Sequence, residues 1–248
     1  MDKEKIAKTT DLILSSSKVV AFTGAGISVE SGIPPFRGEN GLWSKYDPVF
    51  LDIDYFNTYP KKSWQMIKKI FYDFFGKAKP NAAHFALAEI EKMGFLSSII
   101  TQNIDNLHQQ AGSERVYEFH GNSRELICVN CGKIYSVKSF DLDNLPPFCE
   151  CGGVLKPNFV FFSEAIPEYV FAKSVEDAKS ADLFLLIGTT GEIMPASLIP
   201  YRAKENGAKI VEINVQSSNY TNTITDIFIP GKATESMTEL VSEIKRKI

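Results

Sequence analysis

Four cysteines form two close pairs, Cys128-x2-Cys131 and Cys149-x-Cys151, with seventeen residues between the pairs. Two pairs of thiolates can close a tetrahedral Zn²⁺ site, and four thiolates leave no open position for a substrate. The second pair is one residue tighter than the usual knuckle, so we expect Gly152-Gly153 to supply a modified turn. The spacing predicts a structural zinc site and leaves no free thiol as a nucleophile.

Other interpretations of the cysteines remain open at this point. They could form disulfides, which a reducing compartment disfavours, or they could be ordinary core residues. A zinc ribbon that binds nucleic acid is a further possibility, but it requires a basic surface. Residues 124–157 balance four basic side chains against four acidic ones: Arg124, Lys133, Lys138 and Lys156 against Glu125, Asp141, Asp143 and Glu150.

Polar residues follow two short apolar runs that read as strands, Ser98–Thr101 and Val116–Phe119. The first run leads into Gln102-Asn103-Ile104-Asp105, and the second delivers His120 just before a glycine. Histidine is the natural general base near neutral pH. A histidine at a strand end is also often structural, and we assign His84 and His108 to that structural class.

A glycine-rich turn, Gly24-Ala25-Gly26-Ile27-Ser28, follows the apolar run Val19–Phe22. Such glycines let the backbone approach a pyrophosphate, and the next helix offers free N–H groups to the anion. The dinucleotide fingerprint would place a third glycine at Val29, and it would place an acidic residue where Gln102-Asn103 stands. A tight strand-to-helix turn is the alternative, and an ordinary dehydrogenase is disfavoured.

The elements that must position these residues alternate between strand and helix. After Arg124–Pro157, which reads as an inserted module, the pattern predicts further strands and helices. This alternation is typical of an α/β fold with a doubly wound parallel sheet and ligands at the carboxyl ends of its strands. The predicted helices are Lys3–Ser16, Pro48–Asn57, Ser63–Phe75, Ala82–Lys92, Glu168–Ser180, Ala196–Asn206 and Ala233–Ile248, and the further strands are Phe159–Phe162, Leu183–Gly188 and Lys209–Asn214.

Composition limits the possible partners. The 248 residues include 27 Lys and Arg against 30 Asp and Glu, a net charge of −3, which does not favour nucleic acid. No apolar run approaches the length of a membrane span, so we expect no membrane association. The N-terminal residues resemble neither a signal peptide nor a transit peptide, and we therefore expect a cytoplasmic protein.

Taken together, these motifs resemble the sirtuins, the NAD-dependent protein deacylases. The similarity covers nearly the whole chain, and it rests on the order and spacing of the set rather than on one motif. The set comprises Gly24–Ser28, Gly32-Ile33-Pro34-x-Phe36-Arg37-Gly38, Thr101–His108, His120-Gly121, the paired cysteines, Pro157-x-x-Val160-Phe161-Phe162, Gly188-Thr189-Thr190, Asn214 and Gly231-Lys232-Ala233.

The resemblance implies a Rossmann-like domain that binds NAD, with a small domain inserted into it. We place the NAD-binding domain at residues 1–35, 81–120 and 158–248. The small domain would combine a helical part, residues 36–80, with a zinc-binding module, residues 121–157. NAD would lie between the two domains, and an acyl-lysine peptide would enter from the other side.

The resemblance also implies a reaction. The acyl oxygen of an acetylated lysine attacks C1′ of the nicotinamide ribose, and nicotinamide leaves. After the ribose hydroxyls are deprotonated, the products are free lysine and O-acetyl-ADP-ribose. Nicotinamide would act as a product inhibitor, and the protein would be a monomer.

Site roles follow from the same resemblance. His120, Asn103 and Asp105 would be catalytic: His120 as the base for the ribose hydroxyls, Asn103 on the ribose or a water, and Asp105 on the nicotinamide carboxamide. The expected NAD-binding residues are Gly24, Ala25, Gly26, Ser28, Phe36, Arg37, Gln102, Asn103, Ile104, Asp105, His120, Gly188, Thr189, Thr190, Asn214, Lys232 and Ala233. The expected metal ligands are Cys128, Cys131, Cys149 and Cys151.

Two loops would hold the peptide between them as an added strand. They comprise Val160, Phe161, Phe162, Ser163 and Glu164, and Gly191, Glu192, Ile193 and Met194. The family often has a glycine where Ser163 stands, and an apolar segment where Gly191-Glu192 stands. Both departures put affinity for the peptide in doubt.

The acyl group is expected to be neutral. Members of the family that remove acidic acyl groups carry a Tyr and an Arg one helical turn apart. Here Phe75 stands three residues after Tyr72, and residues 61–79 contain no Arg. This departure favours acetyl and leaves long fatty acyl chains possible.

Two other function classes stay open. Protein mono-ADP-ribosyl transfer would use the same NAD site with a different acceptor. A zinc-dependent scaffold or DNA-binding module would need a basic patch that the sequence does not display.

Overall fold

A computed structural model describes residues 2–36 and 41–248. The strands are β1 Val19–Thr23, β2 Ser98–Thr101, β3 Val116–Glu118, β4 Gly121–Cys128, β5 Ile134–Ser136, β6 Leu155–Phe159, β7 Leu183–Ile187, β8 Lys209–Asn214 and β9 Ile227–Pro230. The α-helices are α1 Lys3–Ser15, α2 Ile53–Thr58, α3 Pro60–Ile67, α4 Ala82–Lys92, α5 Leu107–Gln110, α6 Glu168–Ser180, α7 Ile199–Glu205 and α8 Ala233–Lys247.

Within the described ranges, six strands form a parallel sheet in the order β3-β2-β1-β7-β8-β9. Both β1 and β7 are buried along their whole length, as expected of central strands that helices cover on both faces. The strand order reverses between β1 and β7. A crevice forms at such a switch point, outside the carboxyl ends of the strands, and this crevice is where open α/β sheets bind ligands.

Alternate residues of the central strands face two separate apolar layers. Val19 and Ala21 pack with α1, α4 and α8, whereas Val20 and Phe22 pack with α6 and α7. This alternation follows from the two-residue period of a strand. The predicted doubly wound α/β fold is therefore confirmed.

A second, smaller sheet is antiparallel, with the order β5-β4-β6. Its apolar residues join those of residues 33–75 in a core of their own. Trp64 of α3 crosses between the two parts, because its Nε1 donates to the Leu155 carbonyl of β6 at 2.7 Å. Phe56 of α2 meets Phe161 edge-on at 5.3 Å.

Several predicted elements differ from those observed. The predicted strand Phe159–Phe162 is wrong beyond Phe159, which ends β6 in the small sheet. The following residues leave the ladder because their backbone pairs elsewhere: the Val160 N–H donates to the His120 carbonyl, and Phe162 bridges to Asp52.

The helices in residues 48–75 are divided differently from the prediction. Asp52 splits the first predicted helix, since its carboxylate caps α2 after a short 3₁₀ turn, Pro48–Leu51. The second begins earlier, as α3, and continues as a π-helix over Lys68–Phe74.

Elsewhere, some elements were shortened or missed. The helix expected after Gly26 is a 3₁₀ helix, Ala25–Ser31, and the one predicted at Ala196 starts with 3₁₀ geometry before α7. The sequence reading missed β9 and the strands of the small sheet. No helix among the described residues combines the length and apolar character that crossing a membrane demands.

Candidate active site

The glycine turn after β1 lies against the loop after β7. The Gly26 N–H donates to the Gly188 carbonyl at 2.8 Å, and the Gly24 N–H donates to Ile187 at 3.1 Å. A Cβ at Gly26 would lie 2.6 Å from the Gly188 Cα, and one at Gly24 would lie 2.8 Å from the Gly188 oxygen. These glycines are therefore required for the close approach of the two loops. The sequence had explained them only by the approach of the backbone to a pyrophosphate.

Three predicted residues meet beneath this turn. The Ser28 hydroxyl donates to Asp105 Oδ2 at 2.7 Å, and Asn103 Nδ2 donates to the Ser28 oxygen at 3.2 Å and to the Gly24 carbonyl at 3.1 Å. Burial raises the pKa of Asp105, while hydrogen bonds from the Leu107 N–H and Ser28 act in the opposite direction. The carboxylate, the amide and the hydroxyl are thus held in fixed orientations at the switch point.

Ser28 also contacts a buried histidine that we had assigned a structural role. The Asn81 N–H donates to His84 Nδ1 at 3.3 Å, and Asn81 Oδ1, 3.1 Å from that nitrogen, accepts from Ala83 instead. Nε2 of His84 faces Ser28 Oγ at 3.4 Å. Burial lowers the pKa of His84 to about 4, so the ring is neutral near pH 7.

The second structural histidine, His108, continues this neutral cluster. Thr23 donates its hydroxyl proton to Thr101 at 2.8 Å and accepts from His108 Nε2 at 2.9 Å. Burial lowers the pKa of His108, and the neighbouring His84 lowers it further by a smaller amount. Burial thus keeps both histidines uncharged near pH 7, and their contacts are compatible with the structural role predicted for them.

His120 differs from the other two histidines in its hydrogen bonding. Its Nδ1 lies 3.0 Å from the carbonyl oxygen of Gln102. A carbonyl can only accept, so Nδ1 carries the proton and Nε2 keeps its lone pair. Burial lowers the pKa of His120, and the Gln102 hydrogen bond opposes that shift. His120 is therefore a neutral imidazole with a basic Nε2. Its ring contacts Gln102, which directly precedes Asn103 in the chain.

A small cavity lies between the glycine turn and the residues after β2. Six of its lining residues were predicted site residues: Ala25, Ser28, Phe36, Asn103, Ile104 and Asp105. Ile33 and Phe75 complete the lining and were not among the predicted site residues. Phe75 begins a 3₁₀ turn, Phe75–Lys77, directly after the π-helix, and the sequence had indicated it only as a neighbour of the acyl group.

Several predicted NAD-binding residues surround the loop after β7. Gln102 Nε2 donates to the Thr189 hydroxyl at 3.0 Å, and Asn214 Nδ2 donates to the Thr189 carbonyl at 2.9 Å. Lys232 and Thr190 are more exposed, and the Lys232 ammonium pairs with Glu30 at 3.3 Å. Ala233 starts α8. Arg37, predicted to contact phosphate, lies outside the described residues.

The first predicted peptide loop is a tight turn. Phe162 is 45% exposed, and its backbone pairs on one side with Leu51 and Ile53. Ser163 has φ +71°, a left-handed conformation that glycine adopts more easily than serine. This backbone angle explains why a glycine suits this position.

The second predicted peptide loop packs against Tyr220. A Cβ at Gly191 would lie 2.7 Å from the Tyr220 ring, and Gly191 has φ +74°. Asn219 Nδ2 donates to the Gly191 carbonyl at 3.3 Å. Met194 is 63% exposed, and the Ile193 carbonyl accepts from Ser197 at 2.8 Å.

The four cysteines converge in the small sheet, and their Sγ atoms all lie within 4.8 Å of one another. Two of the separations are 3.5 Å (Cys128–Cys151) and 3.7 Å (Cys131–Cys149). Zn–S bonds of about 2.3 Å in a tetrahedron give S···S separations of about 3.8 Å, so the cluster fits Zn²⁺.

The turn around the tight cysteine pair contains the expected glycines. Gly152 has φ +83°, and a Cβ at Gly153 would lie 2.7 Å from the Cys128 sulfur. The Tyr135 hydroxyl lies 3.1 Å from the Cys149 sulfur. Gly152-Gly153 therefore supplies the modified turn, and Tyr135 is a partner that the sequence did not reveal.

Comparisons with known proteins agree with this geometry. A profile of the Sir2 family matches residues 24–195. An NAD-dependent protein deacetylase of Sulfurisphaera tokodaii is 47% identical over 96% of this chain and 95% of its own length.

Two solved structures extend the similarity to three dimensions. A mutant Sir2 homologue in complex with ADP-ribose has a TM-score of 0.93 and 38% identity, over 100% of this chain and 98% of that one. A Sir2 complex with a p53 peptide and NAD⁺ has a TM-score of 0.89 and 34% identity, over 98% of both chains. From these matches and the arrangement of its site, the chain belongs to the Sir2 family, the sirtuins.

Proposed function

We propose that this chain is an NAD-dependent protein lysine deacetylase. The observation that carries the proposal is His120, whose proton is fixed on Nδ1 by the Gln102 carbonyl so that Nε2 is available as a base. It accompanies Asn103, Asp105 and Ser28 at the switch point of the sheet, where dinucleotides bind. Relatives named NAD-dependent protein deacetylase or deacylase support the same activity.

NAD, when bound, would supply the carbon that is attacked, C1′ of the nicotinamide ribose, with nicotinamide as the leaving group. His120 Nε2 accepts the proton of a ribose hydroxyl, and its lowered pKa keeps the imidazole neutral for that task near pH 7. The Gln102 carbonyl orients the ring and stabilises the imidazolium after proton transfer. His120 is thus the general base of the proposed mechanism.

The nicotinamide end is assigned to the cluster around Asp105. The Asp105 carboxyl and the Ile104 backbone hydrogen-bond the carboxamide, while Ser28 and the Leu107 N–H fix the carboxyl in place. Phe36 lines the same cavity and excludes water from the reacting carbon. Exclusion of water favours transfer to the acyl oxygen over hydrolysis.

The acyl pocket is proposed to be neutral. Tyr72 and Phe75 lie where an acidic acyl group would require a Tyr and an Arg, and residues 61–79 contain no Arg. A buried anion without a positive partner would be costly there. Acetyl is therefore the preferred acyl group, and longer fatty acyl chains are an alternative that the assay below distinguishes.

Mass spectrometry of acyl-lysine peptides incubated with NAD tests the proposal. We expect loss of acetyl, but not of succinyl, together with one O-acetyl-ADP-ribose for each lysine released. Added nicotinamide should slow the reaction. Deacetylation without NAD would overturn the proposal, and label from NAD that stays on the protein would indicate mono-ADP-ribosyl transfer instead.

Several broader assignments belong to the same proposal. The cysteine cluster holds Zn²⁺ in a structural role, since four thiolates leave no place for a substrate. The domain boundaries at residues 35/36, 80/81, 120/121 and 157/158, a monomeric state and a cytoplasmic location complete it. Limited proteolysis, sedimentation and cell fractionation test these three points.

A further inference from the structure

A lysine is buried between the small sheet and the predicted peptide loop. Lys156, on β6, is 5% exposed, although lysine side chains usually reach solvent. Its ammonium donates to the Phe159 carbonyl at 2.7 Å, to the Pro157 carbonyl at 3.2 Å and to Glu164 Oε2 at 2.9 Å. These three acceptors match the three N–H donors of an ammonium.

The same ammonium and its partners hold the loop after β6. Lys156 Nζ lies 4.1 Å from the centre of the Phe161 ring. Glu164 Oε2 accepts a second hydrogen bond, from the Phe161 N–H at 2.7 Å, and the Glu164 N–H donates to the Phe161 carbonyl at 3.1 Å. One carboxylate oxygen therefore closes the turn 161–164 and ties it to the buried amine.

This turn needs such a tie, because Ser163 within it has φ +71°. A serine there is strained, and the strain persists only where surrounding contacts determine the conformation. The exposed Phe162 adds little packing to hold the turn, although its ring approaches Trp43 at 6.3 Å. The ion pair thus holds the inner side of the turn, while backbone bonds of Phe162 to Leu51 and Ile53 hold its other side.

The cost of burying these charges also points to a role in geometry. Burial lowers the pKa of Lys156, and Glu164 opposes that shift. Apolar replacements of a buried ion pair are often neutral for stability or even stabilising. The Lys156–Glu164 pair therefore defines the backbone conformation of the turn 161–164 rather than stabilising the core.

We propose that Lys156 and Glu164 are a pair of positioning residues that hold the turn 161–164 in the conformation that receives the acyl-lysine peptide. This inference rests on the proposed function. It changes the expected role of Glu164: the carboxylate faces its own loop and not the substrate. Ser163 makes the loop more dependent on the pair than a glycine would.

Steady-state kinetics of the double variant Lys156→Met/Glu164→Gln test the proposal. Both charges are removed together, so no unpaired charge remains buried and the protein should fold. We expect KM for an acetyl-lysine peptide to rise about tenfold or more, the loss typical of a disturbed supporting contact. KM for NAD should not change.

Rescue separates positioning from direct contact with the peptide. Adding Ser163→Gly to Lys156→Met/Glu164→Gln should recover a large part of the lost peptide affinity, because glycine adopts φ +71° without a tie. If Glu164 bound the peptide itself, glycine would restore nothing, and that result would overturn the proposal. An unchanged KM for the peptide in the double variant would overturn it too, as would equal rises in both KM values.

The double variant Lys18→Met/Asp177→Asn provides the matched control, because it also removes both charges of an ion pair. The Lys18 ammonium contacts Asp177 at 2.7 Å and Ser180 at 2.8 Å, and neither contact involves the turn 161–164. This variant should keep the wild-type KM for peptide. The wild-type protein must deacetylate the peptide at the outset: failure there would refute the proposed function, whereas normal wild-type activity with unaffected variants would refute only this inference.

Discussion

The loops at the carboxyl ends of β1, β2, β3 and β7, which carry the predicted NAD-binding residues, form the nucleotide edge of the large sheet. The contacts that stabilise this edge differ in kind from those around the small sheet. At the nucleotide edge they join mainly glycines, hydroxyls, amides and two histidines that burial keeps neutral, and the ion pair there, Lys232–Glu30, lies at the surface. Around the small sheet they include ion pairs, such as Lys156–Glu164 and Lys133–Glu150, and a cluster of four thiols. We infer that shape preorganises the first region, whereas charge and metal organise the second.

Zinc removal should separate the two regions most strongly. Both tryptophans, Trp43 and Trp64, pack in the core shared with the small sheet, and Trp64 hydrogen-bonds Leu155. Chelation should therefore change tryptophan emission and abolish peptide turnover, because structural zinc sites couple metal binding to folding. ADP-ribose binding, measured by calorimetry, should persist.

Restoring the metal provides the control for chelation. Zinc, or another ion that accepts tetrahedral thiolate ligands, should return both emission and turnover. Parallel loss of ADP-ribose binding on chelation would show that the two regions are not independent.

Gly26→Ala tests the shape of the nucleotide edge. The new Cβ would lie 2.6 Å from the Gly188 Cα, so the two loops must separate. We expect a loss of about 1–3 kcal/mol in the free energy of unfolding, as for other overpacked sites, together with weaker ADP-ribose binding. Denaturant titration measures the first effect. Gly76→Ala is the control, since its nearest neighbour is 3.8 Å away, and equal behaviour of the two variants would contradict the account.

The neutral histidines predict a pH dependence of stability. The pKa of His84 falls from 6.5 to about 4 on folding, so the unfolded chain binds the proton first as pH drops. Stability is therefore present above pH 6.5 and is lost between pH 6.5 and 4. His84 should account for about 2 kcal/mol of the loss between pH 7 and pH 5.

Replacement of His84 isolates this contribution. The variant His84→Gln should lose less unfolding free energy than the wild type between these two pH values, by denaturant titration at each. Equal losses in both proteins would show that His84 is not held neutral by burial.

Tyr135→Phe should have the smallest of these effects and should be confined to the metal region. The variant removes the hydroxyl that lies 3.1 Å from the Cys149 sulfur. Loss of such an outer contact lowers metal affinity by about tenfold or more. Competition with a chromophoric chelator measures it, and ADP-ribose affinity should not change. An unaltered zinc affinity of the variant would show that the Tyr135 hydroxyl does not support the metal site.

The two regions also differ in how far the sequence predicted them. The meeting of Gly24–Ser28, Gln102–Asp105 and His120 at one edge followed from the sequence, because each comes after an apolar run, and the runs before the first two are buried strands. In a parallel sheet such residues meet at one edge. The structure adds the reason for the glycines, which is the approach of the Gly188 loop.

The small sheet was predicted poorly beyond its cysteines. Its strands pair residues distant in sequence, such as Leu126 with Pro157, and their hydrophobic pattern is irregular. The role of Lys156 depends on contacts with Phe159 and with Glu164 in the loop that follows, and no motif in the sequence indicated it. The left-handed angle at Ser163 was indicated only by the family's preference for glycine at that position.

His120→Ala gives the most direct test of the central claim that a neutral His120 is the base of an NAD-dependent deacetylation. We expect kcat to fall about 10²–10⁴-fold, the usual contribution of general base catalysis, while zinc content and ADP-ribose binding stay as in the wild type. A folded His120→Ala protein that deacetylates at near the wild-type rate would contradict it.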